Sequence, residues 1–444
     1  MVLPFCALSS FGADHFVAPA GGNLAPFTSW DTAATNIQDA IDAASAGETV
    51  WVTNGVYASG GKVMAGDLTN RVALDKALTV QSVNGPFMTT IQGAWDPVTT
   101  NGPFAIRCAW VTNGAVLKGF TLFAGATRNT GAQLTLESGG GAWCSDSGAK
   151  LANCMIMTNA AYQFGCGVYN GTLINSAVCG NIGIFGGSGA TYSARLLNCT
   201  VVSNSCAGAL NGFATNCILY YNLNPQYGGT LSYCCSGPSV PIGGNIGSPP
   251  QLLPGSIQLA STSPCIAAGT NVAIGTDIEG QAWATPPSMG CAEWYGPPLV
   301  KTQPTLAFLV DPPGFSFRAS LIRLDPFACW WTKEGLPVPE SSHFIGTQTT
   351  NLTAVGVSLA DAGNYKLILS NSFGITTSAV ATASFTQTAS LPFPVEAPAI
   401  IIRAQSPFVA QLPCRPELEI LLPSLSFCWM DSTLAPLLLA LLRD

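Results

Sequence analysis

Charge is scarce in this chain. Asp, Glu, Lys and Arg make up 9% of its 444 residues, and there are two histidines. A globular domain ordinarily carries about a quarter charged residues. With a net charge of −7 and its Lys and Arg scattered, the sequence offers no basic surface for a nucleic acid. It has no run of 18 apolar residues that would serve as a transmembrane segment. Its 16 cysteines include no C-x-x-C pair, which removes the common zinc and iron–sulfur arrangements, and no metal site is expected. Between Asp146 and Asp277 there is no Asp or Glu, and after Lys150 the same stretch holds Arg195 as its one charged side chain. Acid–base chemistry on a polymer needs carboxylates on both sides of the scissile bond, so this long stretch does not supply it.

What the chain has is a repeat. Asn153 and Asn159 return as Asn175 and Asn181, as Asn198 and Asn204, and as Asn216 and Asn222, with spacings of 22, 23 and 18 residues between units. Each unit opens on a short apolar stretch: 151–156, 173–178, 196–202 and 213–220. One such strand cannot bury its own apolar face. Stacked copies share a continuous core and pair their backbone groups. A unit of this length is too short for a strand–helix–strand crossover and has no helical period, so the expectation is an all-β fold, a right-handed parallel β-helix. In each unit the first Asn is followed by Cys154, Ser176, Cys199 or Cys217. A straight strand cannot turn two successive residues inward. A bend at Asn, which tolerates left-handed backbone, would let the small residue form an inward column, and stacked amides would bond along the axis. Leu117–Leu122 aligns with Leu151–Ile156, placing Gly119 where Asn153 stands.

At the N-terminal side, Asp31 or Thr32 is positioned to cap a helix over about 33–44, with Ile37, Ala40, Ile41 and Ala44 on one apolar face. Residues 58–77 read as an inserted hairpin or loop, and residues 124–139 as an excursion over the long side face, where a ligand would lie. Among the cysteines, Cys265 and Cys291 are a candidate pair in an oxidising compartment.

The repeats, together with the segment "NIQDAIDAASAGETVWVTNGVY" at 36–57, resemble the right-handed parallel β-helix proteins of the pectin-lyase-like superfamily, in particular secreted bacterial repeat proteins. The resemblance spans about 15–296. It implies that the N-terminal helix caps the open end of the stack, and that Met289, Gly290 and Glu293 belong to a closing strand in which Asp277 and Glu293 satisfy backbone donors. Residues 300–387 carry "CWWTKEGLPVP" and "VSLADAGNYKLILSNSFG", which resemble immunoglobulin-like domains. That resemblance makes Trp330 or Trp331 the core tryptophan and Tyr365 the corner tyrosine, with Leu367 where a disulfide cysteine would stand. Residues 1–14 read as the remnant of a secretory signal lacking its basic start, and 388–444 as an irregular, Pro-rich and then apolar tail.

Lyases and hydrolases of the superfamily use acidic residues, with calcium in the lyases, so a cofactor is implied only if the chain is a lyase acting on pectin-like or other cell-wall polysaccharide. The catalytic candidates under that reading are Glu137, Asp146 and Lys150, with Asp96, Arg107, Lys118 and Arg128 the other charged residues of the early coils. The alternative, and the reading adopted, is a secreted or cell-surface protein that binds glycans or mediates adhesion without catalysis. Its candidate ligand-binding residues are Trp143, Tyr162, Tyr169 and Tyr192, from a set of aromatic residues that also includes Trp95, Trp110, Phe123, Phe164 and Phe185. Aromatic and amide groups without cations suit a neutral sugar better than a polyuronate.

Overall fold

The computed structural model describes residues 13–131, 133–184, 188–223, 227–237, 242–309, 313–322, 327–387 and 400–402. The chain divides into a compact unit Met1–Ala383 and a second, Ser384–Asp444. In the second, Phe385–Gln387 pairs antiparallel with Ile400–Ile402. The rest of the tail lies outside the described residues, as do residues 1–12 and Phe185.

The first unit begins with a parallel β-helix of three faces. On the first face Leu117, Leu151, Leu173, Leu196 and Ala214 lie in register, one coil above another. On the second the series is Leu122, Ile156, Val178, Val201 and Leu219. The third is built on Ile106–Val111, Ala142–Cys144, Val168–Tyr169 and Gly189–Tyr192. All these inward leucines, isoleucines and valines are buried in one continuous core. Removing a single Leu side chain from such a core costs about 2–5 kcal/mol, which is why the apolar pattern fixes the stack so firmly. The nine-residue strand Ala207–Thr215 pairs with both Gly189–Tyr192 and Arg195–Leu197, joining the first and third faces.

The apolar stretches of the repeat are each broken in two at the first Asn. Lys150–Ala152 and Met155–Met157 flank Asn153, and Thr172–Ile174 and Ala177–Cys179 flank Asn175. Asn153, Asn175, Asn198 and Asn216 have φ of 50°, 50°, 49° and 55°, and Gly119 has 78° at the same place one coil earlier. The bend turns Cys154, Ser176, Cys199 and Cys217 inward, all fully buried, and Cys234 extends the column. Rungs within it are bonded: the N–H of Cys154 donates to Ser176 Oγ at 3.1 Å and that of Cys199 to Cys217 Sγ at 3.3 Å.

The second asparagines form the amide ladder. Asn159 Nδ2 donates to Asn181 Oδ1 at 3.0 Å, Asn181 to Asn204 at 2.9 Å, and Asn204 to Asn222 at 2.7 Å. The backbone N–H of each of the first three donates to the same oxygen. The first asparagines bond elsewhere. Residues 270–277 run back along them: Asn216 Nδ2 donates to Thr270 O at 2.7 Å, and Asn175 Nδ2 to Ile274 O at 2.8 Å and to Thr276 O at 2.7 Å. Asn153 Nδ2 donates to Thr276 O and Asp277 O. The closing segment is therefore a strap along the flank. It covers the second face with Ile278, Cys291 and Ala292 against Ala177, and with Met289, Ile266 and Cys265 against Ile218 and Cys235. Asp277 does satisfy backbone donors, those of Glu279, Gln281 and Glu293, and Glu293 those of Ala284, Ser288 and Trp294. Cys265 sits beside Cys235, and both Cys265 and Cys291 are free thiols, so the candidate pairing of Cys265 with Cys291 is not made.

At the N-terminal end the helix is shorter than its apolar face suggests. It spans Ile37–Ala43 and is capped by Asn36, whose side chain accepts from the N–H of Asp39. Asp31 and Thr32 do not cap it, because Ala34 is held extended: its N–H donates to Phe16 O and its carbonyl accepts from Ala18. Residues 58–77 contain an antiparallel pair, Lys62–Ala65 with Leu68–Leu74.

A sandwich follows. Leu299–Leu309, Gly314–Ile322, Asn351–Val355 and Phe344–Ile345 form one antiparallel sheet. Phe327–Lys333, Gly363–Asn371, Leu336–Pro337, Gly374–Thr377 and Ala381–Ala383 form the other. Phe315, Phe317, Trp331, Leu352, Tyr365 and Leu367 fill the space between them. The core tryptophan is Trp331, not Trp330: strand alternation turns Trp330 to the other face, half-buried, while Trp331 stacks on Phe317 at 5.8 Å and donates Nε1–H to Thr349 O. Tyr365 donates its hydroxyl to Asp361 O at 2.8 Å.

Candidate aromatic flank

The third face turns aromatic rings outward at one repeated position. Alternation puts Ala109, Ala142 and Val168 into the core and leaves Trp110, Trp143, Tyr169 and Tyr192 on the outer side, in register. Adjacent coils lie about 4.8 Å apart, close to ring-stacking distance. The rings therefore stack. Trp110 and Trp143 have centroids 5.8 Å apart at 24°, Trp143 and Tyr169 4.3 Å at 4°, and Tyr169 and Tyr192 5.8 Å at 11°. Phe164, from the preceding corner, stacks on Tyr192 at 4.3 Å. The row ends on Ala73 before Trp110 and on Leu210 after Tyr192.

Because each inner ring faces its neighbours, a ligand meets mainly ring edges. Trp143 is only 7% exposed, while Trp110, Tyr169 and Tyr192 are half-buried. Asn211 Nδ2 donates to the Tyr192 hydroxyl at 2.7 Å, adding an amide to the outer edge. Burial raises the Tyr169 phenol above its ordinary pKa, with a further contribution from Tyr192, so the hydroxyl stays protonated and available as a donor.

Arg107 supports the row from one side. It is buried, and its guanidinium carbon lies 6.0 Å from the Trp110 ring centroid and 5.8 Å from that of Trp143. Nε donates to Gly139 O at 2.9 Å, Nη1 to Asn70 Oδ1 at 2.9 Å, and Nη2 to Ser138 O at 2.8 Å. Burial, and next the charge of Arg128, push its pKa down to about 9. Arg128 bonds Asp67 and the carbonyls of Gly102 and Ala105. These two arginines pin residues 124–139 against the coils, which contain the short helix Leu134–Glu137.

The sequence candidates separate into those the fold brings together and those it does not. Trp143, Tyr169 and Tyr192 share the row. Tyr162 lies elsewhere, after the strand Ala160–Ala161, with its N–H donating to Thr127 Oγ1. Glu137 is buried, with its carboxylate accepting from Thr130 Oγ1 at 2.7 Å and from Gln163 Nε2. Asp146 closes a turn by accepting from the N–H of Gly148 at 2.7 Å, and Lys150 is exposed at the start of the next strand. Each of the three has its own local setting. Among the described residues no three His, Cys, Asp or Glu side chains group as metal ligands. Calcium takes six to eight oxygens, with carboxylates prominent among them. Asp146, committed to its turn, does not fit that role. Trp110 and Phe164 complete the row, Arg107 stands in the sequence only as one charged residue of the early coils, and Asn211 carries no signal there. The aromatic spacings of 33, 26 and 23 residues hide the alignment, because loops of different length intervene.

No protein family and no curated protein matched the chain. Among solved structures it is similar to titin M4 over 20% of this chain and 93% of that one, at 21% identity and a TM-score of 0.18. It is also similar to pectate lyase Pel9A over 50% of its length, at 15% identity and a TM-score of 0.37, and spans 62% of that enzyme. Likenesses at this level carry no argument about what the chain does. Among the described residues no helix is long and apolar enough to cross a membrane.

Proposed function

We propose that the chain is a secreted or cell-surface protein that binds a neutral glycan along the aromatic flank of its β-helix, without turning it over. The observation that carries this reading is the row Trp110–Trp143–Tyr169–Tyr192, one ring per coil. A linear polymer laid parallel to the axis meets similar chemistry at every coil: an aromatic edge, with phenol and amide hydrogen-bonding groups toward one end. The near absence of charge in residues 151–276 favours uncharged sugars over polyuronates. We take the sandwich as an immunoglobulin-like module that presents or anchors the β-helix. The tyrosine-corner bond from Tyr365 to Asp361 O and the buried Trp331 support that reading. No observation favours a lyase or hydrolase, since Glu137 and Asp146 are engaged in local hydrogen bonds.

The test is affinity electrophoresis on soluble neutral and acidic polysaccharides, paired with assays for unsaturated products and new reducing ends, with and without calcium. Tyr192→Ala is expected to weaken neutral-glycan binding at least about tenfold while far-UV circular dichroism stays unchanged; tenfold corresponds to about 1.4 kcal/mol. Turnover abolished by Asp146→Asn or Glu137→Gln would overturn the reading, as would unchanged binding by Tyr192→Ala.

A further inference from the structure

The corner beside the aromatic row contains a close pair of thiols. Cys166 Sγ and Cys206 Sγ are 2.7 Å apart, and both residues are buried. That is well inside the contact distance of two non-bonded sulfurs, and about 0.7 Å from a disulfide bond length. The two residues belong to coils separated by one other: Cys166 donates its N–H to Gly189 O, and Ala207 donates to Ser188 O. Gly183, in the middle coil, packs close against Cys206. A Cβ on Gly183 would stand 2.6 Å from Cys206 Cβ. The column cysteines differ, since the sulfurs of Cys217 and Cys234 each accept a backbone N–H from the coil before.

We propose that Cys166 and Cys206 are an oxidation site, joined as a disulfide when the chain folds where a disulfide oxidant such as oxidised glutathione is present. The thiolate of one cysteine attacks a glutathione sulfur and displaces glutathione thiolate. The second thiolate then attacks the protein-side sulfur of the mixed disulfide and releases the second glutathione. Two thiols lose two electrons and two protons, and one glutathione disulfide becomes two glutathione thiols. Burial raises the Cys166 thiol well above its ordinary pKa, so the exchange belongs to folding, before the coils close. The bond clips three successive coils at the corner where Phe164 stacks on Tyr192. This inference does not rest on the glycan reading.

The full chain is refolded in a mixture of reduced and oxidised glutathione, free thiols are alkylated at low pH, and chymotryptic peptides are analysed by mass spectrometry without reduction. Cleavage after Phe164 and Tyr169 isolates Cys166. The expected product is that peptide linked to one containing Cys206, two hydrogens lighter than the sum. Reductant should lower the melting temperature of the refolded wild type by roughly 5–10 °C, and Cys206→Ala should reduce that shift. Recovery of Cys166 and Cys206 as alkylated thiols from refolded protein, or each linked to another cysteine, overturns the proposal even if the variant fails to fold.

Discussion

The asparagines at 159, 181, 204 and 222 stand six residues after those at 153, 175, 198 and 216 in the same coils, yet the two sets hold different parts of the molecule together. The first set bonds along the axis, the oxygens of Asn181, Asn204 and Asn222 each taking a side-chain and a backbone N–H from the coil before. The second set bends the chain through the left-handed region, and Asn153, Asn175 and Asn216 give their amides to the strap 270–277. One residue type thus serves as a buried hydrogen-bond ladder and as a hinge with an outward hand. Local geometry decides which. Both sets are largely buried; the ladder amides satisfy one another, where an orphaned donor or acceptor would cost about 1–3 kcal/mol, whereas the hinge position requires first a tolerated positive φ.

The largest expected effect comes from the ladder. Asn181→Leu removes the acceptor of the Asn159 N–H and the donor to Ile156 O, and should cost about 4 kcal/mol in chemical denaturation. A loss below about 1 kcal/mol would show the ladder to be decorative. Next comes the hinge. Asn175→Ala combines left-handed strain of about 1–2 kcal/mol with the lost strap bonds, for a total near 2–3 kcal/mol, and should also speed hydrogen exchange in 270–277. Asn198 sharpens the contrast, because neither of its amide atoms has a hydrogen-bond partner among the described residues. Asn198→Gly keeps the bend and loses no such bond, so it should cost under about 1 kcal/mol. A larger loss would mean that its amide works as those of Asn175 and Asn216 do.

The sandwich should respond to pH where the ladder does not. His343 Nε2 lies 2.8 Å from Asp361 Oδ1, and its ring nitrogen Nδ1 is 2.6 Å from Val355 O. The bond to Asp361 raises the His343 pKa above its ordinary 6.5. Asp361 is pushed upward by burial, yet the bonds from His343 and Ser358 outweigh this and leave it below 3.8. A raised histidine contributes stability below about pH 6.5 that is lost as pH rises through its folded pKa. A lowered carboxylate contributes stability above about pH 4 that is lost as pH falls through its own. The pair therefore stabilises the sandwich most between about pH 4 and 6.5. The half-exposed setting limits the effect to under about 1 kcal/mol. His343→Gln should flatten the pH profile of sandwich unfolding across that window.

The repeat, the bend at Asn153 and its equivalents, the place of Gly119 and the inward column from Cys154 to Cys217 were all legible, because each depends on residues within one coil and on its period. The aromatic row was only half legible. Trp143, Tyr169 and Tyr192 were named from composition, but their register follows from where loops of unequal length return the chain. The same reason conceals the place of Arg107 beside the row, since its partners at 70, 138 and 139 are brought to it by the stack. The choice of Trp331 over Trp330 needed strand phase, which a one-residue shift inverts.

By itself, the amino-acid order determined that the chain would coil: apolar stretches at a steady interval, hinged at asparagine, have no other way to bury their faces and satisfy their backbone. Only the tertiary structure decided that residues 270–277 strap the flank, that four aromatic rings form a row, and that Cys166 meets Cys206 across an intervening coil. Those contacts join residues far apart in sequence, and their distances are set by how completed coils stack.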